Sequence, residues 1–273
     1  MHVISIQSQV VHGHVGNSAA LYPMLATGVS VAPVPTTLLS NHPRYPTTRG
    51  QVLDADLVAD LLRGVQERGL VDTPSVVLSG YLGSAENAEA VADFIERARS
   101  RNPALRYVCD PVLGDDGRVF VAPGIEETVA TRLLPSADVI TPNQFELRRL
   151  SGCDTATESD LRAACAALAE RGPQVIVATG CTLSDTGQNQ LETILWQHGD
   201  HIRIATPRLP IRPCGTGDLL AGLFAAHLAL GKPVEDALRA AVAATLEAID
   251  LTWRSGEAEL RLTPSEGGPS FAS

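Results

Sequence analysis

Short apolar runs alternate along the chain with longer segments of helical periodicity. HVISIQ from His2, VSVAPV from Val29, SVVLS from Ser75, RYVCD from Arg106, DVIT from Asp138 and QVIVAT from Gln174 are rich in Val and Ile and bounded by turn or polar residues, which predicts buried strands. Between them, Asp54 can cap a helix carrying Leu57, Leu61, Leu62 and Val65 on one face. Ser84 can start another with Ala88, Val91, Ile95 and Ala98. TESD from Thr157 has the form of a capping box ahead of Leu161, Cys165 and Leu168, and PVEDALRAAVAATLEAI from Pro233 places proline at a helix start. Strands alternating with helices predict an α/β fold, a mainly parallel sheet with helices on both faces. ETILWQHGDHIRIA from Glu192 instead predicts two strands about a Gly-containing turn, an antiparallel hairpin at the sheet edge. SNHPRYPTTRGQ from Ser40 has no periodicity and is expected to be a long functional loop.

No repeat and no linker divides the chain, so one domain is expected over residues 1–255. A C-terminal segment, 256–273, follows, and its last stretch, TPSEGGPSFAS, reads as a loose tail. The net charge of −10 argues against a nucleic-acid footprint or a surface for anionic lipid. Bound phosphate must then rely on backbone amides, metal ions or a few cations. The five cysteines, Cys109, Cys153, Cys165, Cys181 and Cys214, contain no CxxC pair and fit a reducing cytosol as small buried side chains. Cys214 stands out because it adjoins a glycine turn. The N-terminus lacks the pattern of a secretory signal, and no apolar run is long enough to span a membrane, which predicts a cytoplasmic protein. Trp196 and Trp253 are expected to pack. His12 and His14 lack a third ligand, which makes a metal role improbable.

In open α/β sheets, ligands bind beyond the carboxyl ends of the strands. Polar residues stand at these ends: Ser8 after the first, Thr36 and Ser40-Asn41-His42 after the second, Gly80-Tyr81 after the third. Asp110 ends the fourth, Asn143 and Glu146 follow the fifth, and Thr179 ends the sixth. Gly215-Thr216-Gly217-Asp218 then open a late apolar helix. A helix start offers free N–H groups and partial positive charge, and glycines let an anion approach the backbone. A carboxylate there can take a proton from a substrate hydroxyl while the amides stabilise moving phosphoryl charge. The same residues also suit a glycine-rich turn with an ordinary acidic cap, and the motif alone leaves both readings open. Asp110 and Glu146 could hold Mg²⁺, directly or through water. P-loop, dinucleotide-binding, zinc-protease and nucleophile-elbow motifs are absent.

GTGD at a helix start resembles the ribokinase superfamily, which implies a three-layer sandwich. SIQSQVVHGHVGNSAA, SNH, GQVL, SGYLGSAE, VCDPVLGD and TPNQFELRRLSG resemble its pyridoxal kinase branch over about residues 2 to 250. The resemblance implies ATP-dependent phosphorylation of the 5′-hydroxyl of pyridoxal, pyridoxine or pyridoxamine, with Mg²⁺, a suggested K⁺ requirement and a homodimer. Asp218 corresponds to the general base, and Gly215, Thr216 and Gly217 to the anion hole. Ser8, Thr36 and Tyr81 correspond to contacts on the pyridine ring, Asp110, Asn143, Glu146 and Thr179 to the nucleotide region, and Asp110, Asp115 and Glu146 to the metal region. Thr179 departs from members that carry Lys there, and the tyrosine that some members place in a longer lid has no counterpart here, with Phe120 nearby but lacking the hydroxyl. Two rivals remain. A hydroxymethylpyrimidine kinase of the same superfamily commonly has Cys after GTG, against Asp218 here. A non-catalytic regulator would be expected to have lost the Asp or a glycine.

Overall fold

The structure, a computed structural model, describes residues 1–73 and 75–262. In chain order the elements are β1 (His2–Val10), α1 (Asn17–Ala26), β2 (Ser30–Leu39), β3 (Gly50–Val52), α2 (Ala55–Glu67), β4 (Ser75–Ser79) and α3 (Ala85–Arg101). Next come β5 (Arg106–Cys109), the small hairpin β6 (Gly114–Asp115) and β7 (Arg118–Val119), and α4 (Ile125–Thr128), which runs through a π turn into α5 (Leu134–Ser136). β8 (Val139–Ile140), α6 (Gln144–Ser151), α7 (Glu158–Ala169), β9 (Val175–Cys181), β10 (Gln190–Gln197), β11 (Asp200–Pro207), α8 (Thr216–Ala229) and α9 (Val234–Ser255) complete the chain.

The main sheet has the order β11-β10-β9-β8-β5-β4-β1-β2-β3. From β2 to β9 all pairings are parallel, while β3, β10 and β11 add antiparallel margins. One apolar layer packs α2, α3, α6 and α7 on one face, and a second packs α1, α8 and α9 on the other. This is the expected three-layer α/β sandwich, and each predicted strand and the edge hairpin are present. α2 differs in its facing: Val58 and Leu62 are buried, whereas Leu57 and Leu61 of the predicted face are largely exposed. Trp196 packs, but Trp253 is 46% exposed near the end of α9. Cys109, Cys165 and Cys181 are buried, and Cys153 and Cys214 are half-buried. Burial pushes the Cys109 and Cys165 thiols up to about 12, which makes them inert.

The loop from Ser40 contributes β3, which the pattern did not predict, and α1 and α6 were likewise not foreseen. The capping box at Thr157 forms as expected, with Asp160 as its acid. After α9 the chain turns at Gly256 in the left-handed region, and Leu260 and Leu262 are buried in the α8–α9 layer. Residues 259–262 are therefore docked, and the predicted tail from Thr263 lies outside the described residues.

The edge hairpin is tied down by charge. Arg203 on β11 donates to Glu192 at 2.5 and 2.8 Å, to Asp185 at 2.7 and 2.9 Å and to Glu158 at 2.8 Å. Glu192 is only 4% exposed, and the Arg203 hydrogen bond holds its carboxyl below the usual range despite burial. Arg203→Ala removes the partner of a buried carboxylate and should cost about 2 kcal/mol. Thermal unfolding at neutral pH should show the loss. Because the Glu192 carboxyl is depressed in the folded chain, this stabilisation is present above the ordinary carboxylate range and fades as pH falls through it. The gap between wild type and variant should therefore narrow in acid. An unchanged melting temperature at neutral pH would count against the network.

Candidate active site

The carboxyl ends of the parallel strands open into a cleft of about 1750 Å³. Ser8, Tyr81, Asp110, Asp115, Asn143, Glu146, Thr179 and the turn from Gly215 to Asp218 all line it. Residues scattered over the whole sequence thus meet in one place, as the strand-end argument requires.

α8 positions the turn. Gly215 is the N-cap, at φ 82°, in the left-handed region where a side chain is strained. A Cβ there would stand 1.9 Å from the His14 carbonyl oxygen, so the backbone after β1 packs directly on the turn. Gly217 has ordinary φ, and a Cβ there would meet open space. The cap makes no side-chain hydrogen bond. Asp218 lies beyond the N-cap, in the first turn. It lines the cleft; burial raises its pKa, and the nearby Gly16 backbone N–H opposes the rise. The first turn presents free backbone N–H groups and a carboxylate to the same space.

Asp110 and Glu146 form the opposite acidic wall. The Thr141 hydroxyl donates to Asp110 at 2.9 Å. Burial, then the charges of Glu146 and Asp218, push the Asp110 carboxyl well above its usual range. Glu146 anchors a loop: its Oε1 accepts from Leu113 N–H at 2.7 Å and Gly114 N–H at 3.2 Å, and its Oε2 accepts from Asn143 N–H at 2.9 Å. Burial pushes it up to about 7 against those three hydrogen bonds. Asn143 caps α6 and donates to the Gly114 carbonyl at 2.7 Å, fixing the same loop. Val112 in this loop has φ 42°, a strained value for a β-branched residue that the Glu146 and Asn143 anchors hold in place.

Among the described residues no three His, Cys, Asp or Glu side chains converge on one point, so Asp110, Asp115 and Glu146 do not by themselves enclose an ion. Glu146 is taken up by backbone amides, and Asp115 lies on the rim, 3.5 Å from Arg212. What remains is a cleft of raised acids around Asp110, which suits a cation whose other ligands come with a bound phosphate chain. Thr36 is fully buried and donates to the Tyr81 carbonyl at 2.6 Å. It supports Tyr81 and does not line the cleft. His12 contacts the Tyr45 hydroxyl at 3.2 Å, an interaction within the loop cluster.

His42, expected at the end of the second strand, covers one end together with Pro43 and Arg44, which the sequence did not single out, and Arg44 donates to the Arg212 carbonyl at 2.7 Å, joining two loops. Arg212 in turn pairs with Asp116 of the small hairpin at 2.8 and 3.0 Å. Leu183, Leu191, Val242, Leu246 and Ile249 add an apolar wall. The cleft therefore has a polar end with His42 and Tyr81, an apolar end, and the Asp218 turn. Among the described residues, no helix is long and apolar enough to cross a membrane.

Comparisons with known proteins bear on this geometry. The family model described as phosphomethylpyrimidine kinase matches residues 13–262. The chain is 38% identical over 268 residues to pyridoxal kinase PdxY of Rubrobacter xylanophilus, covering 97% of this chain and 92% of the relative. It is 39% identical over 272 residues to pyridoxal kinase PdxY of Deinococcus radiodurans, covering 97% and 91%. Among solved structures, pyridoxal kinase from Leishmania donovani in complex with ADP and pyridoxamine aligns with a TM-score of 0.87 at 30% identity, over 95% of this chain and 92% of that one.

Proposed function

The chain belongs to the phosphomethylpyrimidine kinase family and, within it, to the pyridoxal kinases, and on that premise we propose that it transfers the γ-phosphoryl group of ATP to the 5′-hydroxyl of pyridoxal, pyridoxine and pyridoxamine. The observation that carries the reading is the placement of Asp218 in the first turn of α8, lining the cleft, with the free amides of the same turn beside it.

The B6 ring occupies the polar end near Ser8, His42 and Tyr81, with its hydroxymethyl group toward Asp218. The adenine lies against Leu183, Leu191, Val242, Leu246 and Ile249, and the phosphates run past Thr179 toward the α8 amides. Asp218 accepts the hydroxyl proton as the oxygen attacks the γ-phosphorus in line. The amides of Thr216, Gly217 and Asp218 hold the charge on the transferring oxygens. Asn143 and Glu146 fix the 111–115 loop, and Asp110 faces the phosphate chain. Mg²⁺ bound with ATP supplies charge screening there. Thr179 brings no charge, so phosphate binding leans on the helix amides and on that cation. K⁺ activation, a homodimer and a cytoplasmic setting complete the proposal.

ATP consumption measured in parallel with pyridoxal, pyridoxine, pyridoxamine and hydroxymethylpyrimidine tests the assignment. Turnover on a B6 vitamer should exceed that on the pyrimidine by at least about tenfold, a preference equivalent to roughly 1.4 kcal/mol. The name attached to the family model favours the pyrimidine as the second reading, and the opposite preference would establish it.

A further inference from the structure

Glu259 lies outside every catalytic motif, yet both of its carboxylate oxygens point into the loops that form the polar end of the cleft. Its Oε1 accepts from the Tyr45 hydroxyl at 2.7 Å and from His42 Nε2 at 2.9 Å. Its Oε2 accepts from the His14 backbone N–H at 3.1 Å. The carboxylate fills the space left by a missing side chain at Gly13, where a Cβ would stand 2.7 Å from Oε2. The hydrogen bonds from Tyr45, His42 and His14 outweigh burial and hold its carboxyl below the usual range, so it is charged at neutral pH.

Two routes lead from Glu259 to the anion hole. The first runs through the backbone: Glu259 fixes His14 N–H, and the carbonyl of His14 packs on Gly215. The second runs through a side chain. A carboxylate only accepts, so His42 Nε2 carries a proton and the ring is oriented by Glu259. Its Nδ1 lies 3.6 Å from Cys214 Sγ, and Cys214 immediately precedes Gly215. Glu259 itself is held from below. Arg261 N–H donates to Thr252 Oγ1 of α9 at 2.9 Å, and Leu260 and Leu262 are 1% and 3% exposed.

We propose that the segment after α9 is part of the active site, with Glu259 as the positioning residue that sets the Gly215–Asp218 turn through His14 and His42 and the substrate loop through Tyr45. The inference deepens the kinase reading and rests on it for its kinetic readout. Glu259 does not touch the reacting atoms. Its effect is to hold the turn and the loop in one relative geometry, and a displacement of about 1 Å in such a constellation can cost about 10²-fold in rate.

Three variants separate the contacts. Glu259→Ala breaks them all and should lower kcat at least about tenfold, raise KM for pyridoxal and leave KM for ATP within about twofold. Glu259→Gln keeps an oxygen for Tyr45 and His42 but sets an NH₂ against His14 N–H, so kcat should fall with KM for pyridoxal little changed. Tyr45→Phe frees only the loop and should raise KM for pyridoxal more than it lowers kcat. Glu235→Ala, at an exposed pair with Arg239 in the first turns of α9, is the control and should behave as wild type. A readout free of catalysis is the rate at which iodoacetamide alkylates Cys214, followed by peptide mass spectrometry; it should rise several-fold in Glu259→Ala and not in Tyr45→Phe. Kinetic constants within twofold of wild type in all three variants, with Cys214 alkylation unchanged, would overturn the proposal. So would losses of kcat that merely track the folded fraction with both KM values unaltered. If wild type fails to phosphorylate any B6 vitamer, the kinase reading fails, and the alkylation rates alone decide whether Glu259 holds the turn.

Discussion

Asp218→Asn should lower kcat for pyridoxal phosphorylation by about 10²–10⁴-fold, the range for removal of a positioned general base, while ATP binding by calorimetry stays within a few-fold of wild type. Asn is the right probe because it matches Asp in size and shape and so fits the same space. Geometry is kept and only the proton acceptor is lost. The wild-type profile should carry its own signature. Burial raises the Asp218 carboxyl above its ordinary value of 3.8, so the acid limb of kcat/KM should lie above the range of an exposed aspartate. Activity falls as pH drops through that raised value, because the base must be unprotonated, and the residual activity of Asp218→Asn should lack this limb. An unchanged kcat in the variant would remove Asp218 from the proton-transfer step.

Gly215→Ala should be nearly as damaging, for a different reason. The position combines φ 82° with a backbone oxygen 1.9 Å from where the methyl would sit. The left-handed conformation costs about 1–2 kcal/mol for a side-chain-bearing residue, and the clash must be relieved by moving either the His14 strand end or the turn. Either movement disturbs the setting of the amides proposed to face the transferring phosphoryl group, so kcat should fall about 10²-fold or more. The melting temperature should fall with it. Gly217→Ala supplies the contrast, since its Cβ enters open space at an ordinary φ. That variant should melt like wild type, and any loss should appear in turnover and ATP affinity alone. Equal melting temperatures and equal kcat for Gly215→Ala and wild type would show that the turn tolerates the shift.

Much of this architecture was legible because the code behind it is local. Val- and Ile-rich runs with polar residues at their carboxyl ends identify parallel strands and, with them, the rim where Ser8, Tyr81, Asp110 and Thr179 gather. α1 escaped notice for a physical reason. It is apolar on more than one side, contains Pro23 and packs against α8, so it lacks the single stripe that betrays a surface helix. α6 carried a readable signal, the capping box of Asn143 and Glu146, but those residues drew attention as ligand contacts. That they also hold the 111–115 loop by its backbone is invisible without coordinates. The facing of α2 misled because Leu57 and Leu61 are apolar yet turned outward. Glu259 had no local signature: its meaning comes from His14, more than two hundred residues earlier, and only the fold brings them together.

α8 is buried from Leu219 to Leu228 on every side, in contact with the sheet, α1 and α9. A rod so enclosed cannot tilt without disrupting a core packed as densely as a crystal, so the catalytic turn at its tip is a fixed reference point. Adaptation to a new acceptor alcohol would therefore proceed through the loops that face this point. Residues such as Arg44 and Phe120 can be exchanged to reshape what is admitted while the phosphoryl-transfer apparatus is inherited unaltered, and a library confined to those loops would explore substrate choice without unpicking the reaction.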